Sequence, residues 1–215
     1  AHSGIIAALL ARDDFSGPGT IIEGRFGFLH SYSPKSDPSK ILQNWGTPYE
    51  VVRTSIKPHA CCRYKQGPID GILQIMRSEK LSADDIEHVN LAVLKAGFAL
   101  VAEPEDIKYN PASIVDAQFS MPFGAAMAIL HGKASLDQYT EENLNSPLVK
   151  DVMRKVKCIN DPDIEKDFPR KWKAVAEIKA TDGKVFTAKV DYPKGDPENP
   201  FTWDELIAKF RNLIS

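Results

Sequence analysis

The strongest structural signal in the sequence is a β-hairpin near its C-terminal end. Apolar and polar residues alternate over 173–179 and again over 184–191, with Thr181-Asp182-Gly183 between them. An Asp-Gly pair is favoured in the tight turns that join antiparallel strands. A lone hairpin is marginally stable in water, so the chain must supply further strands and a layer that covers one face of the sheet.

Other segments supply the rest of an α+β fold. Strands are also predicted over 51–56, 86–94 and 156–160, and Val89, Leu91 and Val93 share one face of the second of these. Helices are predicted over 4–11 as a buried helix, from Pro68 onward, and over 121–130, 147–156 and 203–215. The predicted architecture is a small sheet of three or four strands backed by helices.

Charge and cysteine content exclude several classes of protein. Lys and Arg number 27 against 29 Asp and Glu, and the net charge of −2 argues against a basic nucleic-acid-binding surface. No apolar run approaches the roughly 20 residues that span a bilayer, so we expect no membrane insertion. Three cysteines are too few and odd in number for a disulfide framework, which predicts a reducing, cytoplasmic location.

One segment concentrates reactive side chains. Residues 57–64 carry Lys57, His59, Cys61, Cys62, Arg63 and Tyr64 at a predicted strand-to-helix junction. A helix N-terminus favours anions and lowers the pKa of nearby thiols. Lys57 and Arg63 suit a carboxylate-bearing substrate, because Arg binds carboxylates through two parallel hydrogen bonds. The alternative is structural: both cysteines are buried as small apolar residues and Lys57 is merely solvated.

Other candidate residues have simpler explanations. Ser120 is expected to accept a hydrogen bond at a helix start rather than to act as a nucleophile, since no GxSxG surrounds it. His131 precedes Gly132 and is expected at a helix C-terminus. The five histidines show no HxH or HxxxH spacing, and the adjacent thiols would chelate one ion poorly, so no metal site is predicted.

Two blocks of sequence carry a resemblance to a known family. Residues 56–64, Ile-Lys-Pro-His-Ala-Cys-Cys-Arg-Tyr, followed by Ile69-Asp70, resemble the "KPYPCCRY…ID" signature of the MmgE/PrpD family. Asn110-Pro111 and then 116–132, beginning Asp-Ala-Gln-Phe-Ser-Met-Pro-Phe, resemble a second family block. Shorter matches at 3–5, 15–18, 23–28 and 205–210 occur in the same order, so the resemblance covers nearly the whole chain.

The resemblance implies a domain organisation. Members of this family have a helical domain, built from the N-terminal half and the C-terminal tail, and an α/β lid inserted between them. We therefore expect 1–52 to end a helical segment, 53–192 to form the lid, and 193–215 to return to the helical domain. The resemblance also implies that these residues are part of a longer protein, or one chain of a split protein.

The family includes 2-methylcitrate dehydratase, cis-aconitate decarboxylase and iminodisuccinate epimerase, which are lyases and isomerases. Its active site lies between the two domains, and further Asp, Thr and His residues come from the N-terminal half. The resemblance implies catalytic roles for Lys57, with His59 or Cys62 relaying a proton, and substrate contacts from Arg63, Tyr64, Ser120 and Phe123.

The resemblance further implies a small di- or tricarboxylate substrate, no cofactor and a homodimer. In the decarboxylase branch a histidine stands at the position of Cys62 and a tyrosine at that of Phe123. These departures weigh against decarboxylation and leave dehydration, epimerisation or the reaction of another family member open. The expected chemistry is dehydration or epimerisation, by proton removal next to a carboxylate. The alternative is a non-catalytic fragment, or a subunit that needs a partner chain.

Overall fold

The computed structural model describes residues 2–44 and 46–214, which divide into two compact units, Ala1–Glu50 and Val51–Ser215. The first unit contains helices α1, His2–Arg12, and α2, Phe28–Tyr32. The predicted first helix is therefore present, but the prediction that it is buried is wrong: Ile5 is 61% and Leu9 42% exposed. Burial depends on a covering layer, which the sequence of the helix itself does not specify.

The second unit combines one sheet with a set of helices, which confirms the predicted α+β class. The strands are β1 Ile86–Ala92, β2 Val156–Ile159, β3 Ala174–Ala180 and β4 Val185–Val190. The helices are α3 Gln66–Glu79, α4 Lys95–Val101, α5 Glu105–Tyr109, α6 Ile114–Gln118, α7 Met121–His131, α8 Glu141–Asn145, α9 Pro147–Arg154, α10 Pro162–Glu165 and α11 Trp203–Ile214. None of the helices in residues 2–44 and 46–214 is both long enough and apolar enough to cross a bilayer.

The sheet has the strand order β2-β1-β3-β4. The hairpin β3–β4 is antiparallel, as predicted, and Gly183 in its turn has the positive φ of +86° that glycine tolerates best. β1 pairs with β3 antiparallel and with β2 parallel. The parallel pair requires a long crossover, which here contains α4 to α9.

One face of the sheet carries the main core, and the opposite face is partly polar, with a small second apolar cluster around Ala92. Val89, Leu91 and Val93 lie in the main core, as the alternation predicts, together with Ala176 and Ile178 of β3. On the opposite face, Asn90 hydrogen-bonds the carboxylate of Glu177 across the strands at 2.9 Å. The main core therefore lies on one face of the sheet, and the opposite face is only partly covered.

Helix α3 packs on the buried face of β3 at very short range. A Cβ at Gly67 would lie 2.9 Å from the Cβ of Ala174, and one at Gly71 would lie 2.8 Å from the Cβ of Ala176. Glycine on the helix and alanine on the strand therefore allow the two backbones to approach. This packing places the N-terminal end of α3 beside the segment that carries Lys57.

The predicted strand at 51–56 is wrong. Residues Glu50–Arg53 form a 3-10 turn with Val51 74% exposed. β-branched alternation favours a strand only where a partner strand is available, and here the backbone N–H of Ile56 bonds the carbonyl of Gly195 in a loop at 2.9 Å.

The helix-end predictions hold: Thr202 caps α11 through the N–H of Glu205, and Gly132 ends α7 with φ of +65°.

Candidate active site

The two sequence blocks that carry the family resemblance meet in one open cleft. Its lining residues come from 57–62 and from 118–119: Lys57, Ala60, Cys61, Cys62, Gln118 and Phe119. The backbone joins the two sides directly, because the N–H of Cys62 donates to the carbonyl of Gln118 at 3.1 Å. We call residues 59–62 the thiol loop and residues 117–119 the facing wall.

Lys57 stands at the edge of this cleft with its ammonium accessible. Its Nζ donates to the carbonyl of Cys61 at 3.1 Å, while the side chain stays exposed. An ammonium group has three protons, and among the described residues only that carbonyl is in place to accept one of them. The other two protons are available to solvent or to an anionic group.

The two adjacent cysteines have different environments. Cys61 is buried, and burial raises the pKa of its thiol above the ordinary 9.0, with the nearby Lys65 opposing the shift. The expectation that a helix N-terminus lowers thiol pKa is therefore wrong for Cys61, and the alternative of a buried apolar cysteine is correct for it. Cys62 is partly exposed and lines the cleft.

The side chain of His59, the first residue of the thiol loop, is buried and does not line the cleft. Its Nε2 lies 3.0 Å from Oδ1 of Asp70 on α3, and the ring is 7% exposed. The other oxygen of Asp70 accepts the backbone N–H of Lys194 at 2.7 Å. The imidazole thus connects the loop to α3 and to the segment before α11.

Arg63 and Tyr64 point toward a different part of the unit. Nη2 of Arg63 contacts both carboxylate oxygens of the buried Asp196, at 2.6 and 2.7 Å, and its guanidinium stacks on Trp172. The ring of Tyr64 packs against the same Trp172, with 4.8 Å between ring centroids. Their predicted substrate contacts stay predictions, since neither residue lines the cleft around Lys57.

Ser120 and Phe123 are both fully buried at the start of α7. Ser120 accepts the N–H of Phe123 at 3.1 Å and donates its hydroxyl proton to the carbonyl of Lys108 at 2.5 Å, which is the expected helix-start hydrogen bonding. Phe123 packs against the ring of Tyr139 at 5.5 Å. In this arrangement both position the facing wall, and their contact with a substrate stays a prediction.

Sequence reasoning missed two buried polar residues next to the cleft, Lys65 and Gln66. Burial lowers the pKa of Lys65 to about 8, partly opposed by the neighbouring cysteines. A signal was available: Lys65 lies immediately before α3 and precedes Ile69 by four residues and Ile72 by seven, so its spacing continues the apolar stripe of the helix.

The cleft offers a cation, a thiol and backbone groups. Within residues 2–44 and 46–214, no cluster of three or more His, Cys, Asp or Glu side chains is arranged to hold a metal ion. Lys57 can hold a carboxylate, and Cys62 is a partly exposed thiol that lines the same cleft. Chemistry here would therefore use charge stabilisation and proton transfer.

Comparisons with known proteins agree with this picture. A family model described as the MmgE/PrpD C-terminal domain matches residues 59–215. The chain is 24% identical to the cis-aconitate decarboxylase-like protein oryM of Aspergillus oryzae, over 100% of this chain and 46% of that protein. It is 25% identical to a cis-aconitate decarboxylase of Aspergillus terreus, over 99% of this chain and 46% of that protein.

The cis-aconitate decarboxylase of Homo sapiens is 27% identical over 98% of this chain and 44% of that protein. The chain therefore spans about half the length of the curated relatives it matches. The family model covers most of the chain, including the thiol loop, the facing wall and the whole sheet. On this match, the chain belongs to the MmgE/PrpD family.

Proposed function

We propose that the protein acts on a small di- or tricarboxylate and transfers a proton at the carbon next to a carboxylate. The observation that carries this proposal is the convergence of Lys57 and Cys62 with the facing wall in one cleft. The cleft is open, and its exposed ammonium gives a carboxylate a direct partner.

Lys57 is proposed to bind the carboxylate beside the reacting carbon. When a base removes the proton from that carbon, negative charge spreads onto the same carboxylate. A cation already in place stabilises this developing charge without reorganising, which is the most effective form of electrostatic catalysis. Lys57 would then act in both substrate binding and the proton-transfer step.

Cys62 is proposed as a proton donor or acceptor in the cleft. In a dehydration, one group removes the proton next to the carboxylate and an acid protonates the departing hydroxyl, which leaves as water. In an epimerisation, the proton is removed from one face and returned to the other. His59 stays a predicted relay, although its ring nitrogen is bonded to Asp70 in this arrangement.

Decarboxylation of cis-aconitate is the second candidate, because three relatives carry that activity in their names. The residues at two positions weigh against it. The resemblance places a histidine at Cys62 and a tyrosine at Phe123 in the decarboxylase branch, and the Phe123 ring is buried against Tyr139. Dehydration or epimerisation therefore remains the first proposal.

A non-catalytic fragment, or a subunit that acts only with a partner chain, is the alternative from another class. It is favoured by the coverage of relatives, since this chain matches only 44–46% of their length. The intact mass of the natural protein discriminates: a mass near twice 23.8 kDa supports one chain with both halves of the site. The homodimer and the cytoplasmic location stay predictions.

The proposed function is tested with the full-length natural protein and a panel of methylcitrate, cis-aconitate and iminodisuccinate. We expect Lys57→Ala to lower kcat/KM by about 100-fold or more, because a preorganised charge at the reacting centre is lost. Lys150→Ala, an exposed lysine on α9, is the matched control and should retain activity. Equal activity in wild type and Lys57→Ala would contradict the role of Lys57.

A further inference from the structure

The cleft is bounded by the thiol loop and by the facing wall, which includes the C-terminal end of α6. Both are contacted by side chains at the N-terminal end of α3, those of Lys65, just before the helix, and Gln66, its first residue. We propose that Lys65 and Gln66 are positioning residues that fix the two sides of the cleft relative to each other. Gln66 holds the thiol loop in place, and Lys65 holds the facing wall. The consequence for catalysis rests on the proposed function, whereas the positioning itself does not.

Gln66 makes a dense set of hydrogen bonds to the thiol loop. Its Oε1 accepts the backbone N–H of His59 at 3.1 Å. Its Nε2 lies 3.2 Å from the carbonyls of both His59 and Cys61, and 3.3 Å from that of Cys62. The amide is wholly buried, so these groups have no water to replace it. Gln66 therefore satisfies backbone groups of this loop that a neighbouring strand would satisfy in a sheet.

Lys65 serves the facing wall. Its Nζ donates to the carbonyls of Ala117 and Gln118 at 2.9 and 3.3 Å, and it lies 3.3 Å from the hydroxyl of Tyr139. The carbonyl of Gln118 also accepts the N–H of Cys62, so Lys65 reaches the backbone bond that joins the two sides.

The fold provides space for this buried lysine. A Cβ at Gly124 on α7 would lie 2.6 Å from Cε of Lys65 and 2.9 Å from its Nζ. Glycine at 124 therefore leaves the room that the ammonium occupies. Burying a lysine is costly unless its donors are satisfied, and three acceptors surround this one.

The arrangement links Gln66 to Lys57. The carbonyl of Cys61 accepts hydrogen bonds from both Gln66 and Lys57. Its position therefore sets where the Lys57 ammonium lies above the cleft. Loss of the Gln66 amide should leave Lys57 present but free to move away from its substrate-binding position.

Amide-resolved hydrogen exchange of the full-length natural protein tests the two positions separately. Gln66→Leu should accelerate exchange at the His59 amide by about tenfold or more, because its acceptor is lost. Lys65→Met should accelerate exchange mainly at the Cys62 amide, whose acceptor Lys65 orients. A purely structural loss of stability would accelerate both amides equally in both variants, and that result would overturn the proposal.

The matched control is Gln74→Leu, which removes the same amide at an exposed position of α3 and should leave both amides unchanged. If a variant does not fold, amide exchange in the wild-type protein still tests the proposal. His59 and Cys62 amides protected like those of α3 support the proposal, and exchange as fast as in an unstructured loop overturns it.

Kinetics adds a readout that a smaller folded fraction does not change. With a substrate of the panel, Gln66→Leu should raise KM by about tenfold, because Lys57 binds the carboxylate less well. Misfolding of part of the sample lowers the apparent kcat and leaves KM as it is, so an unchanged KM overturns the link to Lys57. If the wild-type protein turns over no carboxylate, the proposed function fails, and the exchange data alone decide the positioning role.

Discussion

At the scale of single residues, two lysines eight positions apart have opposite environments. Lys57 is exposed and has one hydrogen-bond acceptor among the described residues, whereas Lys65 is wholly buried with three. The motif predicted Lys57 as an active-site residue, and that role stays a prediction. Lys65 was missed because a charged residue is normally expected at the surface, and only its spacing to Ile69 indicated burial.

Lys65 should make stability depend on pH in the alkaline range. Its folded-state pKa is about 8 against 10.5 for the ordinary side chain, so between these values the unfolded chain holds a proton that the folded protein has released. The free energy of unfolding should therefore gain up to about 3 kcal/mol from Lys65 as pH rises through this window. Urea unfolding of wild type and Lys65→Met measures this gain, and parallel pH profiles would contradict it.

The adjacent cysteines should differ in reactivity. Burial raises the pKa of Cys61 and shields its sulfur, whereas Cys62 is partly exposed. We expect iodoacetamide at neutral pH to alkylate Cys62 at least about tenfold faster than Cys61. Peptide mass spectrometry over a time course gives both rates, with Cys62→Ser to assign the fast site. Equal alkylation rates for the two cysteines would contradict the burial of the Cys61 sulfur.

At the scale of helices and strands, the elements that depend on local sequence signals were predicted correctly. The hairpin, β1, α7 and the cap of α11 follow from alternation, turn chemistry and capping. The strand predicted at 51–56 failed, because strand formation needs a partner elsewhere in the chain. The parallel pairing of β2 with β1 was not predicted for the same reason.

The contact between α3 and β3 should tolerate no added methyl group. Gly71→Ala improves helix propensity by about 1 kcal/mol, but its Cβ would lie 2.8 Å from the Cβ of Ala176. We expect a net destabilisation of about 1–3 kcal/mol, from overpacking of the helix on the strand. Urea unfolding measures it, with Gln74→Ala on the exposed side of α3 as control. A stabilised Gly71→Ala would contradict the close packing.

At the scale of the whole molecule, the fold brings together two sequence blocks that are far apart in the chain. The resemblance predicted that 57–64 and 116–123 belong to one site, and the cleft brings Lys57 and Cys62 beside Gln118. The capping role of Ser120 was predicted, but the directions of Phe123 and Arg63 were not, because core packing and an ion pair set them.

The exposed apolar side chains of α1 and α11 predict self-association of the 215-residue chain. Ile5 and Leu9 on α1, with Phe210 and Leu213 on α11, are all more than a third exposed. Within each unit, an exposed apolar helix face of this kind usually marks an interaction surface. Light scattering should give a mass above that of a monomer, and Ile5→Ser with Leu9→Ser should lower it. A well-behaved monomer would contradict this prediction.

The central claim is proton transfer next to a carboxylate at the cleft of Lys57 and Cys62. The most direct test incubates the full-length natural protein with each carboxylate of the panel in D2O and follows the substrate and product by NMR. We predict that wild type and Lys150→Ala convert at least one carboxylate of the panel, either to an epimer that carries deuterium at the carbon next to a carboxylate or to the alkene left by loss of water, and that Lys57→Ala loses this conversion. Neither product nor deuterium incorporation with any substrate, or conversion that is unchanged in Lys57→Ala, would contradict the account.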